Sequence, residues 1–164
     1  MSKKSLFIIW VAAARLRTLP LSIAGIVVGN ALAIQNDGFC PYVFGGSLLT
    51  AIVFQILSNF ANDYGDGLKG TDNQERIGPK RVLQQNLLSE KSLFRGILIT
   101  AVIGFILATV TILIAFEVSE LKSSLVFLAL AVAAIFAAYK YTAGKGAYGY
   151  YAMGDVFVFA FLGY

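Results

Sequence analysis

The sequence predicts an all-α protein, a polytopic bundle of transmembrane helices with about four complete spans and the start of a fifth. Hydrophobic residues occupy 58% of the 164 positions, and the mean hydropathy is +0.75. Charged residues make up only 13%, whereas a soluble domain carries roughly 25%. Several apolar runs also approach or exceed the roughly 17–25 residues that a helix needs to cross a bilayer.

The N-terminal apolar run, 6–14, is too short to cross. Trp10 and the two arginines that follow the run are typical of an interfacial helix at the lipid headgroups. The first span is predicted to begin near Thr18, with Pro20 in its first turn, where a missing N–H costs little. The predicted spans cover residues 18–34, 43–62, 96–116 and 123–139, and a further apolar run begins near Tyr151.

A long polar segment, 63–95, follows the second span, and a short helix is expected within it at 81–91. Of the 13 lysines and arginines, all but Lys122 lie in the N-terminal region, in this segment or just after the fourth span. The positive-inside rule therefore predicts a cytoplasmic N-terminus and a cytoplasmic charged loop. We expect an integral membrane protein.

Composition also limits the chemistry. The absence of histidine removes the usual imidazole base and the commonest transition-metal ligand. Cys40 is the single cysteine, so an internal disulfide and a thiolate cluster are excluded. The chain has no P-loop or nucleophile-elbow motif. The lipid bilayer is an expected partner, and no nucleic-acid partner is predicted.

The most highly charged segment reads NFANDYGDGLKGTDNQERIGPKR, at 59–81. If the second span stays helical here, one helix face carries a row of polar side chains, namely Gln55, Asn59, Asn62, Asp63 and Asp66. Oxygen ligands grouped at a membrane edge suit Mg²⁺, which keeps waters and is commonly shared with substrate phosphates.

Glycines and cations follow these acids. Three glycines are expected to end the helix and let Asp72 fold back, namely Gly65, Gly67 and Gly70. Three cations then follow at a distance from which a loop can bring them to phosphate oxygens, namely Arg76, Lys80 and Arg81.

A solvated loop of mixed charge would explain the same segment without any function. Gln55 and Asn59 favour a functional site, because polar groups inside a span usually face a cavity or a partner. An EF-hand loop beginning at Asn62 is excluded, because Tyr64 takes its third position and Asn73 replaces the required glutamate.

The pattern Asn62-Asp63-x-x-Asp66, between a second span and a basic loop, resembles the first aspartate-rich motif of the UbiA superfamily of intramembrane prenyltransferases. Three longer strings are similar to the branch that prenylates 1,4-dihydroxy-2-naphthoate in menaquinone synthesis: NDYGDGLKGTDNQERIGPKR, ARLRTLPLSIAGIVVGNALA and GDVFVFAFLGY. The chain departs from the superfamily pattern at Gly70, where Asp72 is the expected substitute, and at Leu16, where proline is commoner.

The resemblance implies a Mg²⁺-dependent transferase of a prokaryotic cytoplasmic (inner) membrane. It would move a polyprenyl group from a prenyl diphosphate to 1,4-dihydroxy-2-naphthoate, with loss of carbon dioxide, giving demethylmenaquinone. The implied catalytic residues are Asp63, Asp66 and Asp72, and the implied metal ligands are Asn62, Asp66 and Asp72. The implied diphosphate contacts are Arg76, Lys80 and Arg81. Asp63 and Asn59 are expected to support the metal ligands, and Gln55 is a further supporting residue. The isoprenoid tail would lie in an apolar cavity between spans.

Three further residues are weaker candidates for substrate contacts. Lys140 and Lys145 are placed to bind the diphosphate or the acceptor carboxylate, although membrane topology alone explains both. Asp155 begins the fifth apolar run, where an acid is costly unless it faces a cavity. The alternative for Asp155 is a solvated or helix-capping acid.

The final run, VFVFAFLGY, is shorter than a span, and the second aspartate-rich motif of the superfamily is missing from the chain. We therefore expect residues 1–164 to be the N-terminal part of a single truncated UbiA-like domain, inactive or very weakly active by itself. Two alternatives stay open. One is prenylation of another aromatic acceptor, such as 4-hydroxybenzoate or a porphyrin-type ring. The other is a non-catalytic membrane remnant or transporter segment.

Overall fold

The computed structural model describes residues 5–70, 80–144 and 147–151. Within these ranges the chain forms five α-helices and no strand: α1 (Leu6–Ala14), α2 (Leu19–Gln35), α3 (Pro41–Lys69), α4 (Glu90–Ala115) and α5 (Leu121–Thr142). Short 3-10 turns lie at Leu16–Thr18, Val118–Glu120 and Tyr148–Tyr151. The predicted all-α fold class is confirmed.

Local sequence explains where the helices begin and end. The hydroxyls of Ser5 and Ser89 accept hydrogen bonds from the backbone amides of Ile8 and Ser92, at 3.4 and 3.2 Å, and so cap α1 and α4. A proline occupies the first turn of α2 and of α3, where no amide hydrogen is needed. Gly70 ends α3 in the left-handed region, with φ at 67°.

The predicted membrane spans are confirmed as helices, with displaced ends. In the described part of the chain, 4 helical stretches are long and apolar enough to cross a membrane: Leu6–Gln35, Pro41–Lys69, Glu90–Ala115 and Leu121–Thr142. The first stretch is broken at Arg15, between α1 and α2, as the sequence predicts. The expected fifth run beyond Tyr151 lies outside the described residues.

Two local predictions are wrong. Gly65 and Gly67 do not end the helix of the second span, because α3 continues past both to Lys69 and ends at Gly70. The segment expected to be helical at 81–91 instead forms turns at 82–86 before α4 begins at Glu90. Asn86 has a φ of 53°, which is incompatible with a continuing right-handed helix.

Helix α3 is the centre of the fold, because it contacts α1, α2, α4 and α5. The buried core surrounds the end of α3 that carries the acidic residues, which we call the charged end (59–69). Leu57, Phe60 and Ala61 pack there with buried residues of α1, α4 and the turns at 82–86. Trp10 of α1 meets the Phe60 ring edge-on, with centroids 5.3 Å apart. Large apolar side chains elsewhere are widely exposed, as a lipid-facing surface requires.

A glycine on α3 sets the distance between α3 and α5. A Cβ atom added at Gly65 would overlap the backbone carbonyl of Thr142, whereas one added at Gly45 would meet nothing within 4 Å. We therefore expect Gly65→Ala to destabilise the chain by about 1–3 kcal/mol, because the two helices must move apart. Gly45→Ala should be neutral or stabilising, because alanine favours a helix.

Thermal unfolding of both variants in detergent, followed by far-ultraviolet circular dichroism, measures this difference. Equal midpoints for the Gly65 and Gly45 variants would show that α3 and α5 do not approach as closely as described.

Candidate functional site

The site is built around Asp63, whose side chain is almost completely buried at 1% exposure. Its Oδ1 lies 3.1 Å from Nη2 of Arg15 and 3.6 Å from Nε of Arg81. Arg15 comes from the junction of α1 and α2, and Arg81 comes from the segment before α4. Because a buried carboxylate is costly unless it is paired, Asp63 requires cations from both of these segments.

Arg81 also binds the neighbouring turn of α3. Its Nη1 forms an ion pair with Oδ2 of Asp66 and donates a hydrogen bond to the Asn62 carbonyl at 2.8 Å. The Arg81 side chain is 11% exposed. One guanidinium group therefore contacts two carboxylates and a main-chain oxygen, which fixes the segment before α4 against the charged end.

A polar network lies one turn further along α3, towards the membrane interior. Asn59 Nδ2 donates to the Ala14 carbonyl at 2.8 Å and to the Thr18 hydroxyl at 2.9 Å. Gln55 Nε2 donates to the same Thr18 hydroxyl at 3.2 Å, and Gln55 Oε1 accepts from Ser22 at 2.5 Å. Gln55 and Asn59 therefore bind the α1–α2 junction and α2 in this structure.

Asn62 faces α5. The Thr142 hydroxyl lies 3.0 Å from the Ala61 carbonyl and 3.2 Å from Oδ1 of Asn62. Thr142 is buried, at 5% exposure, and sits against Gly65. A carbonyl oxygen can accept two hydrogen bonds, so the contact with Thr142 leaves Asn62 Oδ1 further acceptor capacity.

A pocket of about 390 Å³ lies between α1 and the segment before α4. Its polar wall carries four cations and one acid: Arg15, Arg17, Lys80, Arg81 and Asp63. Its apolar wall comes mainly from α1 and the turns after Arg81, including Ile8, Ile9, Val11, Leu16 and Val82. A pocket with this lining suits a ligand that has an anionic group beside an apolar one.

A second cavity, of about 520 Å³, lies between α3, α4 and α5 and is almost entirely apolar. It is lined by Leu57, Ile97, Phe105, Ile135, Tyr139 and neighbouring side chains. Tyr139 stands one turn before Thr142, which contacts Asn62. The cavity therefore begins close to the charged end and extends away from it among apolar side chains.

The side chains of the charged end can be compared with the ligands that a metal ion requires. Within the described ranges, no three Asp, Glu, Cys or His side chains gather closely enough to bind an ion by themselves. Asn62 and Asp66 do stand one turn apart, and both have hard oxygen atoms. These residues fit Mg²⁺ of the kind that is shared with substrate phosphates, and they do not form a complete protein cage.

The structure brings together many of the residues that the sequence singled out. Asn62, Asp63, Asp66 and Arg81 form one cluster, and Lys80 lines the adjoining pocket. Lys140 lies in the last turn of α5, with Nζ 5.9 Å from the centre of the Phe136 ring. The other candidates lie outside the described residues, namely Asp72, Arg76, Lys145 and Asp155.

Three residues with clear contacts were not predicted as part of the site. Arg15 was interpreted as an interfacial cation, yet it pairs with Asp63. Thr18 and Thr142 were assigned no role, yet both bind asparagines of α3. One signal was available for Arg15, because a buried acid needs a cation and Arg15 is among the few near a span.

Comparisons with known proteins agree with one another. Residues 18–164 match the sequence profile of the UbiA prenyltransferase family. The chain is 43% identical to the 1,4-dihydroxy-2-naphthoate octaprenyltransferase of Haemophilus influenzae, and 41% and 32% identical to those of Escherichia coli and Mycobacterium tuberculosis. Each match covers 94% of this chain and 50% of the relative, so the chain spans about half the relatives' length. No solved structure matches the chain significantly.

The buried pairing of Asp63 predicts a large loss of stability when its carboxylate is removed. Asp63→Ala leaves Arg15 and Arg81 without this shared partner, and we expect a cost of about 3–5 kcal/mol. The exposed Glu120 is the matched control, and Glu120→Ala should change stability by no more than about 0.5 kcal/mol. Thermal unfolding in detergent measures both. A small effect of Asp63→Ala would contradict the proposed burial of the ion pair.

Proposed function

The chain belongs to the UbiA prenyltransferase family, and we propose that it contributes to a domain that prenylates 1,4-dihydroxy-2-naphthoate. The donor is a polyprenyl diphosphate, and carbon dioxide is lost. The immediate product is the hydroquinone form of demethylmenaquinone. The naphthoate octaprenyltransferases that match 94% of the chain support both substrates. The observation that carries the proposal is the Arg15–Asp63–Arg81 cluster in a pocket with one cationic and one apolar wall.

The arginines of this cluster are suited to bind the diphosphate. A guanidinium group presents paired N–H donors that match phosphate oxygens. Because Asp63 contacts both Arg15 and Arg81, these cations are held before the substrate arrives and need little reorganisation. Lys80 adds positive charge at the same wall. Arg76 is a further proposed contact, outside the described residues.

We assign the metal to Asn62 and Asp66 of the charged end, both of which Arg81 also contacts. Asn62 and Asp66 would hold Mg²⁺, and Asp72, outside the described residues, is the proposed third ligand. Bound Mg²⁺ would neutralise part of the diphosphate charge and so favour its departure. Asp63 acts by holding the arginines, and Gln55 and Asn59 act by holding the α1–α2 junction against α3.

The proposed reaction needs no protein nucleophile. The allylic C–O bond breaks, and its electron pair leaves with the diphosphate, which Arg15, Lys80 and Arg81 stabilise. The ring carbon that bears the carboxylate then bonds to the allylic carbon. When the carbon–carboxylate bond breaks, its electron pair restores the aromatic ring and carbon dioxide departs. This sequence is compatible with a chain that has no histidine.

The isoprenoid tail has a suitable place in the apolar cavity between α3, α4 and α5. Tyr139 lines this cavity near the charged end, and Leu57 and Phe105 continue it along the helices. We keep Lys140, Lys145 and Asp155 as proposed contacts of the aromatic acceptor or the diphosphate.

The four helical stretches of membrane length place the chain in a bilayer. We further propose an inner-membrane location with the charged end in the cytoplasm.

Activity is tested in a chimera in which this chain replaces the matching half of the Escherichia coli relative. We expect Mg²⁺-dependent formation of prenylated naphthoquinol. Asp66→Asn should lower turnover by about 100-fold and raise the Mg²⁺ concentration required, because a metal oxygen is lost. Lys91→Ala changes an exposed residue at the start of α4 and should behave as the unsubstituted chimera.

Product analysis by mass spectrometry after extraction of the membranes gives the readout. Preference for 4-hydroxybenzoate over the naphthoate would identify a different acceptor. An inactive chimera beside an active Escherichia coli enzyme would contradict the proposed function, and an unchanged Mg²⁺ requirement in Asp66→Asn would contradict the metal assignment.

The orientation can be tested with the single native cysteine. Cys40 lies between α2 and α3, at the end of α3 opposite the charged end. We expect a membrane-impermeant maleimide to label Cys40 in intact spheroplasts. In a Cys40→Ser background, Ser119→Cys should also be labelled, whereas Lys91→Cys should react only after permeabilisation. The opposite pattern would place the charged end outside the cytoplasm.

A further inference from the structure

Arg15 has an unusual backbone conformation for a residue with a side chain. Its φ and ψ are 48° and 56°, in the left-handed region that ends α1. A residue other than glycine or asparagine seldom adopts this conformation, because its Cβ crowds the following carbonyl. The turn nevertheless directs the guanidinium group to Asp63, 3.1 Å away. Neighbouring groups must therefore hold the turn in place.

The carbonyl groups on both sides of this turn are held by hydrogen bonds. The Ala14 carbonyl accepts from Asn59 Nδ2 at 2.8 Å, and the Arg15 carbonyl accepts from both the hydroxyl and the backbone amide of Thr18, each at 2.9 Å. Asn59 Nδ2 also donates to the Thr18 hydroxyl, at 2.9 Å. Because Asn59 and Asp63 stand one turn apart on α3, the same helix face holds the Arg15 backbone and receives its side chain.

The Thr18 hydroxyl connects these bonds. It donates to the Arg15 carbonyl and accepts from the amides of Asn59 and Gln55, at 2.9 and 3.2 Å. One donated and two accepted bonds are the full capacity of a hydroxyl group. A methyl group of the same shape could replace none of them, and it would leave a buried asparagine amide with one partner fewer.

We propose that Thr18 is a positioning residue, whose hydroxyl holds the left-handed turn at Arg15 so that the guanidinium group faces the diphosphate pocket. Thr18 itself does not line that pocket. The predicted effect of Thr18 on substrate binding rests on the proposed function. The predicted effect of Thr18 on the conformation of Arg15 does not depend on catalysis. Thr18 therefore acts on the prenyl diphosphate only through Arg15.

Kinetics of the chimera test the effect on substrate. Thr18→Val should raise the KM for prenyl diphosphate about tenfold, the equivalent of about 1.4 kcal/mol, with little change in kcat. Thr18→Ser keeps the hydroxyl and should restore the KM. Thr100→Val is the matched control, because the Thr100 hydroxyl bonds only to the Gly96 carbonyl of its own helix in the described contacts, at 2.7 Å. Its KM should not change.

Thermal unfolding of the chain tests the effect on Arg15 separately. If Thr18 holds Arg15, then Thr18→Val and Arg15→Ala together should destabilise the chain by less than the sum of the single changes. Non-additive unfolding together with a raised KM supports the proposal. If the two changes in stability are additive, the proposal is overturned, whatever the KM. Non-additive unfolding with an unchanged KM in an active chimera also overturns it, because Arg15 would then be held without serving the substrate.

An inactive chimera would count against the proposed function and not by itself against the positioning of Arg15. In that case the unfolding experiment alone decides whether Thr18 acts through Arg15. The unfolding free energies of Thr18→Ser and Arg15→Ala should be additive, whereas those of Thr18→Val and Arg15→Ala should not. This difference would identify the hydroxyl as the group responsible.

Discussion

The pairing of the buried Asp63 carboxylate with Arg15 and Arg81 is the interaction on which the charged end depends. The three residues come from α3, the α1–α2 junction and the segment before α4. An unpaired charge at 1% exposure would cost several kcal/mol, so α3 is poorly stable there until both other segments have docked. The apolar contacts of Trp10 and Val82 with the core follow from the same docking.

A network of uncharged polar groups extends this organisation towards the membrane interior. Gln55, Asn59 and Thr18 bind one another through hydrogen bonds that are at least partly buried. The network fixes the angle at which the chain leaves α1 and enters α2. The groups that are proposed to bind a substrate therefore lie on helices that hydrogen bonds already hold against one another, which favours a preorganised site.

The sequence indicated the membrane class, the helices and the polar face of α3, because hydropathy and helical periodicity are local properties. It did not indicate that Arg15 pairs with Asp63, because 48 positions separate them and no local pattern specifies such a contact. Gly65 and Gly67 illustrate a second limit. They were interpreted as helix terminators, but they stand where Thr142 and Leu83 approach α3 closely. The same residue type serves either purpose, and only the neighbouring segment decides which.

The length of α3 has a consequence for how a lipid-borne substrate finds the site. Its 29 residues measure roughly 43 Å at about 1.5 Å each, whereas the hydrocarbon core is about 30 Å thick. An upright α3 therefore exceeds the hydrocarbon core by roughly 13 Å in total, and in the proposed orientation an overhang at the charged end would bring the acidic turns to the depth of the phospholipid phosphates. A prenyl diphosphate anchored by its tail already keeps its head at that depth. In the proposed reaction the substrate therefore arrives by lateral diffusion in two dimensions, and its effective concentration is its mole fraction in the leaflet.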